Sequence, residues 1–333
     1  MKKLLLVLLT KDHPSYLKIF FKFQDRELPD GVDGLVVISN ADKESKEIVV
    51  QQRRKKWSVI EEDPEKSPDL KTIKYLNDNQ YTFTWIIGDG LIITPSILES
   101  RILPFLNDSC LLYHLTDKTS FDARKYYRKN KFSSEITIQD PLFYFDKFFW
   151  TSTFLGSLII NNRLIKEVKK SKCCEKNIGT GFALVTGVFD ALSTFKKPSI
   201  EVRLLTYYLP NPEKAESIWL SDGRVFEIWA SNLEKALLHL PECYSSTRKD
   251  VLSKVCINNN IFTLRGFIEL RSRGVLNNEN LNKYHKVMEK VTNVNSSVLL
   301  ALCYCPVIFT KLLDYPLKFR KFLKRKLYAR FFQ

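Results

Sequence analysis

Along its first two hundred residues the chain alternates short apolar runs with stretches whose apolar positions recur every three or four residues. That alternation is the pattern of an α/β unit built on a mostly parallel sheet. Residues 4–9, five leucines and a valine, read as a strand covered on both faces. Pro14 then opens a helix that runs to about Phe23, with Asp12 or His13 as its cap. Further strands are predicted at 35–39, 57–60, 83–87, 111–115 and 200–208, with helices at 43–56 and 70–78. Thr94 and Pro95 form a cap and first-turn pair for the next helix. From about Pro212 the texture changes, and segments 233–240, 249–255, 261–271 and 281–291 carry helix-period apolar positions with little β-branched alternation. The expectation is a Rossmann-like α/β domain over residues 1–210, its sheet flanked by helices, and a mainly helical C-terminal region over 211–333.

Composition narrows the class. A chain of 333 residues with 44% hydrophobic content can bury a sizeable core, in one large domain or two of roughly 150 residues. Lys2 and Lys3 before the first apolar run look like the start of a signal peptide, but the run ends at Thr10-Lys11-Asp12 without a small-residue cleavage site. The apolar stretch 298–309 stops before Lys311, short of the ~20 residues that span a bilayer. A soluble or peripheral protein is expected. Seven cysteines without a Cys-x-x-Cys pair, beside four histidines, argue against a thiolate zinc site and for reduced thiols in a cytoplasm. No Gly-x-Gly-x-x-Gly follows the first strand and no Gly-x-x-x-x-Gly-Lys occurs, which sets aside dinucleotide and P-loop readings.

The net charge of +15 points to an anionic partner, and it is unevenly spread. Residues 311–333 hold eight cations and one acid, interleaved with Phe319, Phe322, Leu323 and Leu327. This segment is expected to attach the protein to an anionic membrane surface; the rival reading is a solvated terminal helix. Nucleic acid is not expected as a partner, because no recognised binding module accompanies the cations.

Polar residues gather where the predicted strands end. The first exits into Thr10-Lys11-Asp12-His13-Pro14, the second into Ser39-Asn40-Ala41-Asp42, and the strand at 83–87 into Gly88-Asp89-Gly90. Taken singly these are ordinary turn and cap residues. In this order they resemble the family 2 glycosyltransferases of GT-A type, in the class that builds bacterial surface polysaccharides. That family shows Thr-Tyr-Asn-Arg-Pro after its first strand, Val-Asp-Asn-like residues after its second and Gly-Asp-Asp-Asp after its fourth. The stretch from Trp150 through Ser157 to Asn162-Arg163 is similar to the family's acceptor-side element. The resemblance covers roughly residues 3–208.

The resemblance implies a role for each matching position. Thr10 and Asp12 would lie beside the nucleotide base and ribose, Asn40 near the base-contacting acid, and Asp69 where the family opens its next helix with Asn. Gly88 and Asp89 would begin the element that holds a manganese or magnesium ion on the donor diphosphate, and Trp150 and Ser157 would face the acceptor. Two departures stand out. Gly90 and Leu91 replace further acids, so either Asp89 holds the metal with water and phosphate or cations such as Arg124, Lys125 and Arg128 take up the charge. The family's Glu-Asp pair, the source of its base, has no counterpart near Gly179–Gly181, which leaves Asp190 and Glu175 as candidate bases. The implied activity is hexosyl transfer, with inversion, from a nucleotide-sugar to a lipid-linked saccharide, by a cytoplasmic enzyme peripheral to the inner face of the cell membrane. The alternative is a catalytically inactive relative that binds or scaffolds.

Overall fold

The run of leucines at the N-terminus forms the strand β1 (Lys2–Leu9), and its burial explains its composition. Leu4, Leu6 and Leu8 on one face and Leu5 and Val7 on the other are all buried, as a strand at the centre of a sheet covered on both sides requires. The computed structural model describes residues 2–11, 13–39, 43–51, 56–76, 79–211 and 223–313. Asp12, Asn40 and residues 314–333 of the basic C-terminal segment lie outside the described residues.

After β1 the chain continues through α1 (Pro14–Lys22), β2 (Val32–Ser39), α2 (Lys43–Val50), β3 (Trp57–Glu62), α3 (Pro68–Lys74), β4 (Tyr81–Gly88), β5 (Leu91–Ile92) and α4 (Pro95–Ile97). There follow β6 (Leu112–Asp117), α5 (Phe121–Lys129), β7 (Glu135–Ile138), α6 (Pro141–Ser152), β8 (Leu158–Asn161), α7 (Asn162–Lys170) and α8 (Lys172–Lys176). The α/β part ends with α9 (Ala183–Ser193), β9 (Ile200–Leu205) and β10 (Leu209–Pro210). The described residues that follow form helices: α10 (Arg224–Phe226), α11 (Leu233–Leu238), α12 (Arg248–Asn258), α13 (Leu264–Ser272), α14 (Asn278–Val291), α15 (Ser296–Tyr304) and α16 (Val307–Leu313).

Eight strands form one mixed sheet in the order β3-β2-β1-β4-β8-β6-β9-β7, and β10 pairs with β5 in a separate ribbon. Pairings among β1, β2, β3 and β4 and between β6 and β9 are parallel, whereas β8 and β7 run against their neighbours. Beneath the sheet, Trp57 is wedged edge-on against Phe20 and Phe21 at 5.4 and 5.6 Å. A second aromatic cluster joins α6 to α9: Tyr144 stacks on Phe189 at 5.1 Å, and Phe145 meets Tyr244 at 4.7 Å.

The chain divides into two compact units, residues 1–214 with 235–248, and residues 215–234 with 249–333. The return of 235–248 to the first unit is fixed by Tyr244, whose hydroxyl donates to the Phe189 carbonyl at 2.9 Å, and by Asn177 and His239, joined at 2.8 Å. In the second unit Phe226 is sandwiched between Phe262 and Tyr284 at 5.6 and 5.7 Å. No single described helix is long and apolar enough to cross a membrane.

One ionic network anchors α3 to the sheet. Glu62, at the end of β3 and 4% exposed, accepts from Lys74, from the Tyr75 hydroxyl and from Lys66 at 3.0 Å. Those donors, Lys74 foremost, hold its carboxyl down to about 2. Because the folded value is depressed, the Glu62 contribution to stability should be complete above about pH 4.5 and disappear as the pH falls towards 2. Urea unfolding across that range should show a flatter acid limb for Glu62→Gln than for the parent; identical limbs would contradict this.

Candidate functional site

The register of the central strands brings the site together. Leu9 of β1 pairs with Gly88 of β4, so the next residues on the two chains, Thr10 and Asp89, meet beyond the carboxyl ends of adjacent parallel strands. On one side of β1 lies β2 and on the other β4, so connections leave in opposite directions and a crevice opens at that point.

Asp89 Oδ2 accepts two hydrogen bonds there, from Thr10 Oγ1 at 2.8 Å and from His13 Nδ1 at 2.8 Å. His13 is the N-cap residue of α1 but its side chain does not cap the helix; its ring turns to Asp89 and stacks on Tyr16 at 4.7 Å. The Asp89 side chain is 16% exposed and that of His13 38%, so the acid is shielded and the imidazole faces outward. Asn211 braces this turn: its side-chain amide donates to the carbonyls of Asp89 and Tyr16, each at 3.1 Å, and its backbone N–H to Gly90 at 3.2 Å. Neither the His13 bond nor Asn211 is visible in local sequence, since both need the β1–β4 pairing and the β5–β10 ribbon. The only sequence signal was the Thr-x-x-His-Pro run itself.

Asp89 by itself offers a divalent cation few of the oxygen ligands that such an ion prefers. Such an ion wants several oxygen ligands, whereas one oxygen of Asp89 is already occupied by two donors, and no group of three or more His, Cys, Asp or Glu that could hold a metal occurs among the described residues. Arg124, Lys125 and Arg128 lie exposed on α5.

In the stretch from Trp150 to Ser157 both of those side chains are buried. Trp150 is buried on α6 against Tyr126 at 5.3 Å, and the buried Ser157 hydroxyl donates to the Phe154 carbonyl at 2.7 Å. Between them, Phe154 is 53% and Leu155 40% exposed. This loop covers the end of β4: a Cβ on Gly88 would meet Leu155 Cδ2 at 3.5 Å, and Trp85 Nε1 donates to the Gly156 carbonyl at 2.8 Å. Of this stretch, the two residues expected to face the acceptor are turned inward, and Phe154 and Leu155 are the ones exposed.

Asp69 sits in the first turn of α3, after the Ser67 N-cap and Pro68. Its carboxylate reaches the loop before α9, where Gly179 and Gly181 donate to Oδ2, each at 2.8 Å, and Ala183 to Oδ1 at 3.3 Å. Both glycines have positive φ, +87° and +86°, which turns their amides toward one anion. Burial pushes the Asp69 carboxyl up, against the opposing pull of the three amides. No acid stands in the 179–181 loop itself, and Asp69 brings one there from a distant part of the chain. Asp69→Ala should lower stability by about 1–3 kcal/mol, because the buried Ala183 amide and the part-buried amides of Gly179 and Gly181 lose their acceptor, and should speed hydrogen exchange at Gly179 and Gly181. Unchanged exchange at both would show that the carboxylate does not hold the loop.

Of the two candidate bases, Asp190 accepts from Ser171 Oγ at 2.5 Å and is half-buried, whereas Glu175 is exposed on α8. Asp12 and Asn40 fall outside the described residues.

No protein-family model matches the chain, and no curated protein matches it in sequence. Solved structures do. TarS from S. aureus superposes with a TM-score of 0.51 at 13% identity over 94% of this chain and 54% of that one. A 1–349 fragment of the same protein gives 0.48 at 12% identity over 94% and 89%. The mannosyltransferase PcManGT from Pyrobaculum calidifontis, in complex with GDP-Man and Mn2+, gives 0.46 at 9% identity over 98% and 84%. With the strand order and the crevice at β1 and β4, the first of these likenesses establishes the architecture as a GT-A-type α/β fold with a helical C-terminal region.

Proposed function

We propose that the chain is a glycosyltransferase that moves a sugar from a nucleoside-diphosphate donor to a hydroxyl of a saccharide acceptor. The observation that carries this reading is the Thr10–Asp89–His13 constellation at the carboxyl ends of β1 and β4, the place where an open α/β sheet receives its ligand. Thr10 and His13, both held by Asp89, line the donor side. Asp69 acts there as a positioning group, setting the loop before α9. On the other side Phe154 and Leu155 offer the acceptor an apolar platform next to Gly88.

In the reaction the acceptor hydroxyl attacks the anomeric carbon, the bond from that carbon to the phosphate oxygen breaks, and the nucleoside diphosphate leaves with the bonding electrons. The hydroxyl proton passes to a carboxylate, for which Asp190 and Glu175 are the candidates. One displacement of this kind inverts the anomeric centre. A lipid-linked acceptor, and a place on the inner face of the membrane held by the basic segment 311–333, suit a chain whose C-terminal end is this cationic.

The test is release of nucleoside diphosphate from a panel of UDP- and GDP-sugars in the presence of membrane lipid extract. Transfer from one of them supports the reading, and donor binding without transfer would favour the scaffold alternative. Since the described residues around Asp89 do not assemble a cation site, transfer should survive in part after treatment with EDTA. Complete loss, restored by added manganese, would reveal ligands beyond those described.

A further inference from the structure

The second unit carries a surface of a kind not found elsewhere among the described residues. Of the eighteen large hydrophobic residues that are exposed among the described residues, seven fall between Val298 and Leu313: Val298, Leu300, Tyr304, Ile308, Phe309, Leu312 and Leu313. Solitary exposed hydrophobics are ordinary, but a contiguous run on consecutive helices marks an interaction surface. Tyr304 is 70%, Leu312 64% and Ile308 61% exposed.

This surface belongs to a fixed scaffold. The helices α15 and α16 meet at 111° around Cys305–Pro306. The guanidinium of Arg271, on α13, clamps that bend by donating to the Cys305 carbonyl from Nε at 2.9 Å and Nη2 at 2.8 Å, and to Leu276 from Nη1 at 3.0 Å. Leu299, Cys303 and Thr310 face inward and are buried. The outward residues are therefore presented by a braced bend.

Charge decides what covers it. Between Ser296 and Leu313 the only charged residue is Lys311, and from Asp314 to the end there are seven cations and one acid. An apolar wedge joined directly to a cationic segment matches a bilayer with anionic headgroups, whose surface offers hydrocarbon beneath negative charge. Neither helix is long enough to cross a bilayer alone and at 111° the pair is not one straight span, so both are assigned to the interface. We propose that the α15–α16 bend inserts its apolar face into the headgroup region of an anionic membrane while the following cations bind the headgroups. This deepens the peripheral-membrane part of the functional reading and rests on it. It adds that apolar insertion, and not the cationic segment alone, holds the protein there.

The experiment is cosedimentation of the full chain with phosphatidylcholine vesicles, with and without phosphatidylglycerol, followed by a high-salt wash. The parent should bind the phosphatidylglycerol vesicles and keep a bound fraction after the wash, because salt screens charge but does not weaken apolar insertion. A variant carrying Ile308→Ser, Phe309→Ser, Leu312→Ser and Leu313→Ser should lose about tenfold or more of that salt-resistant fraction with its thermal unfolding unchanged. All four side chains are exposed, so the fold does not depend on them. Complete release of the parent by salt, or equal retention of the variant, would overturn the proposal. So would a parent that ignores vesicles but self-associates through the same four residues, since the face would then join two copies of the chain. No donor is present in the assay, so failed vesicle binding leaves the nucleotide site untouched, and failed nucleotide binding leaves this result standing.

Discussion

Replacing Asp89 by alanine should reduce transfer by about 10²-fold or more, the range seen when one preorganised electrostatic group is removed from an active site. Asp89 stands at the meeting of β1 and β4, where its Oδ2 accepts from both Thr10 and His13. Without it the hydroxyl and the imidazole lose their common acceptor, and His13, 38% exposed, becomes free to rotate away from the crevice. The strand core beneath is untouched, because Leu8, Ile87 and their neighbours pack independently of the carboxylate. The variant should therefore unfold close to the parent while donor turnover falls. His13→Ala should reproduce part of the loss, and the double variant should lose less than the product of the two, as expected for residues that act as a pair. Unaltered turnover in Asp89→Ala would remove the donor site from this crevice.

The second large effect concerns stability and involves Gly34 and Trp57. These residues pair across β2 and β3, and a Cβ added at Gly34 would lie 2.3 Å from the indole ring. Trp57 is 2% exposed and packs edge-on against Phe20 and Phe21. A ring enclosed on this side by the backbone of β2 cannot retreat without leaving the core. Gly34→Ala should cost about 1–3 kcal/mol through overpacking, and Trp57→Ala about 3–5 kcal/mol through the cavity it leaves. If Gly34 is glycine because of the indole, adding Gly34→Ala to Trp57→Ala should cost much less than it does alone. Urea unfolding of the four proteins measures the difference. Additive costs would mean that Gly34 is required for another reason.

How far the sequence disclosed this architecture depends on whether the signal was local. The strands β1, β2 and β4 were legible because each is a run of apolar residues long enough to distinguish from a turn, and their carboxyl ends marked Thr10 and Asp89. β8 and β7 were not, since each is four residues long. β8 follows the Trp150–Gly156 stretch directly and reads in sequence as its apolar continuation, but it pairs antiparallel between β4 and β6. Burial caused a further difficulty. The family resemblance puts Trp150 on the acceptor side, but on α6 it belongs to a buried aromatic cluster, and the exposed aromatic of that stretch is Phe154.

Long-range chemistry left no trace in local pattern. Asp69 lies more than a hundred residues from the glycines whose amides it accepts, and only the folded chain shows that it occupies the loop that otherwise lacks an acid. In the same way, residues 235–248 return to the first unit through Tyr244 and His239, although their helical texture resembles the segments around them.

The most direct test of the functional account is calorimetric titration of the full chain with UDP-, GDP- and other nucleoside-diphosphate sugars, repeated with Asp89→Ala. The account predicts saturable binding of at least one such donor by the parent and its loss or marked weakening in the variant. Absence of binding to every nucleoside diphosphate, with affinity only for polyanions such as a polynucleotide, would contradict it.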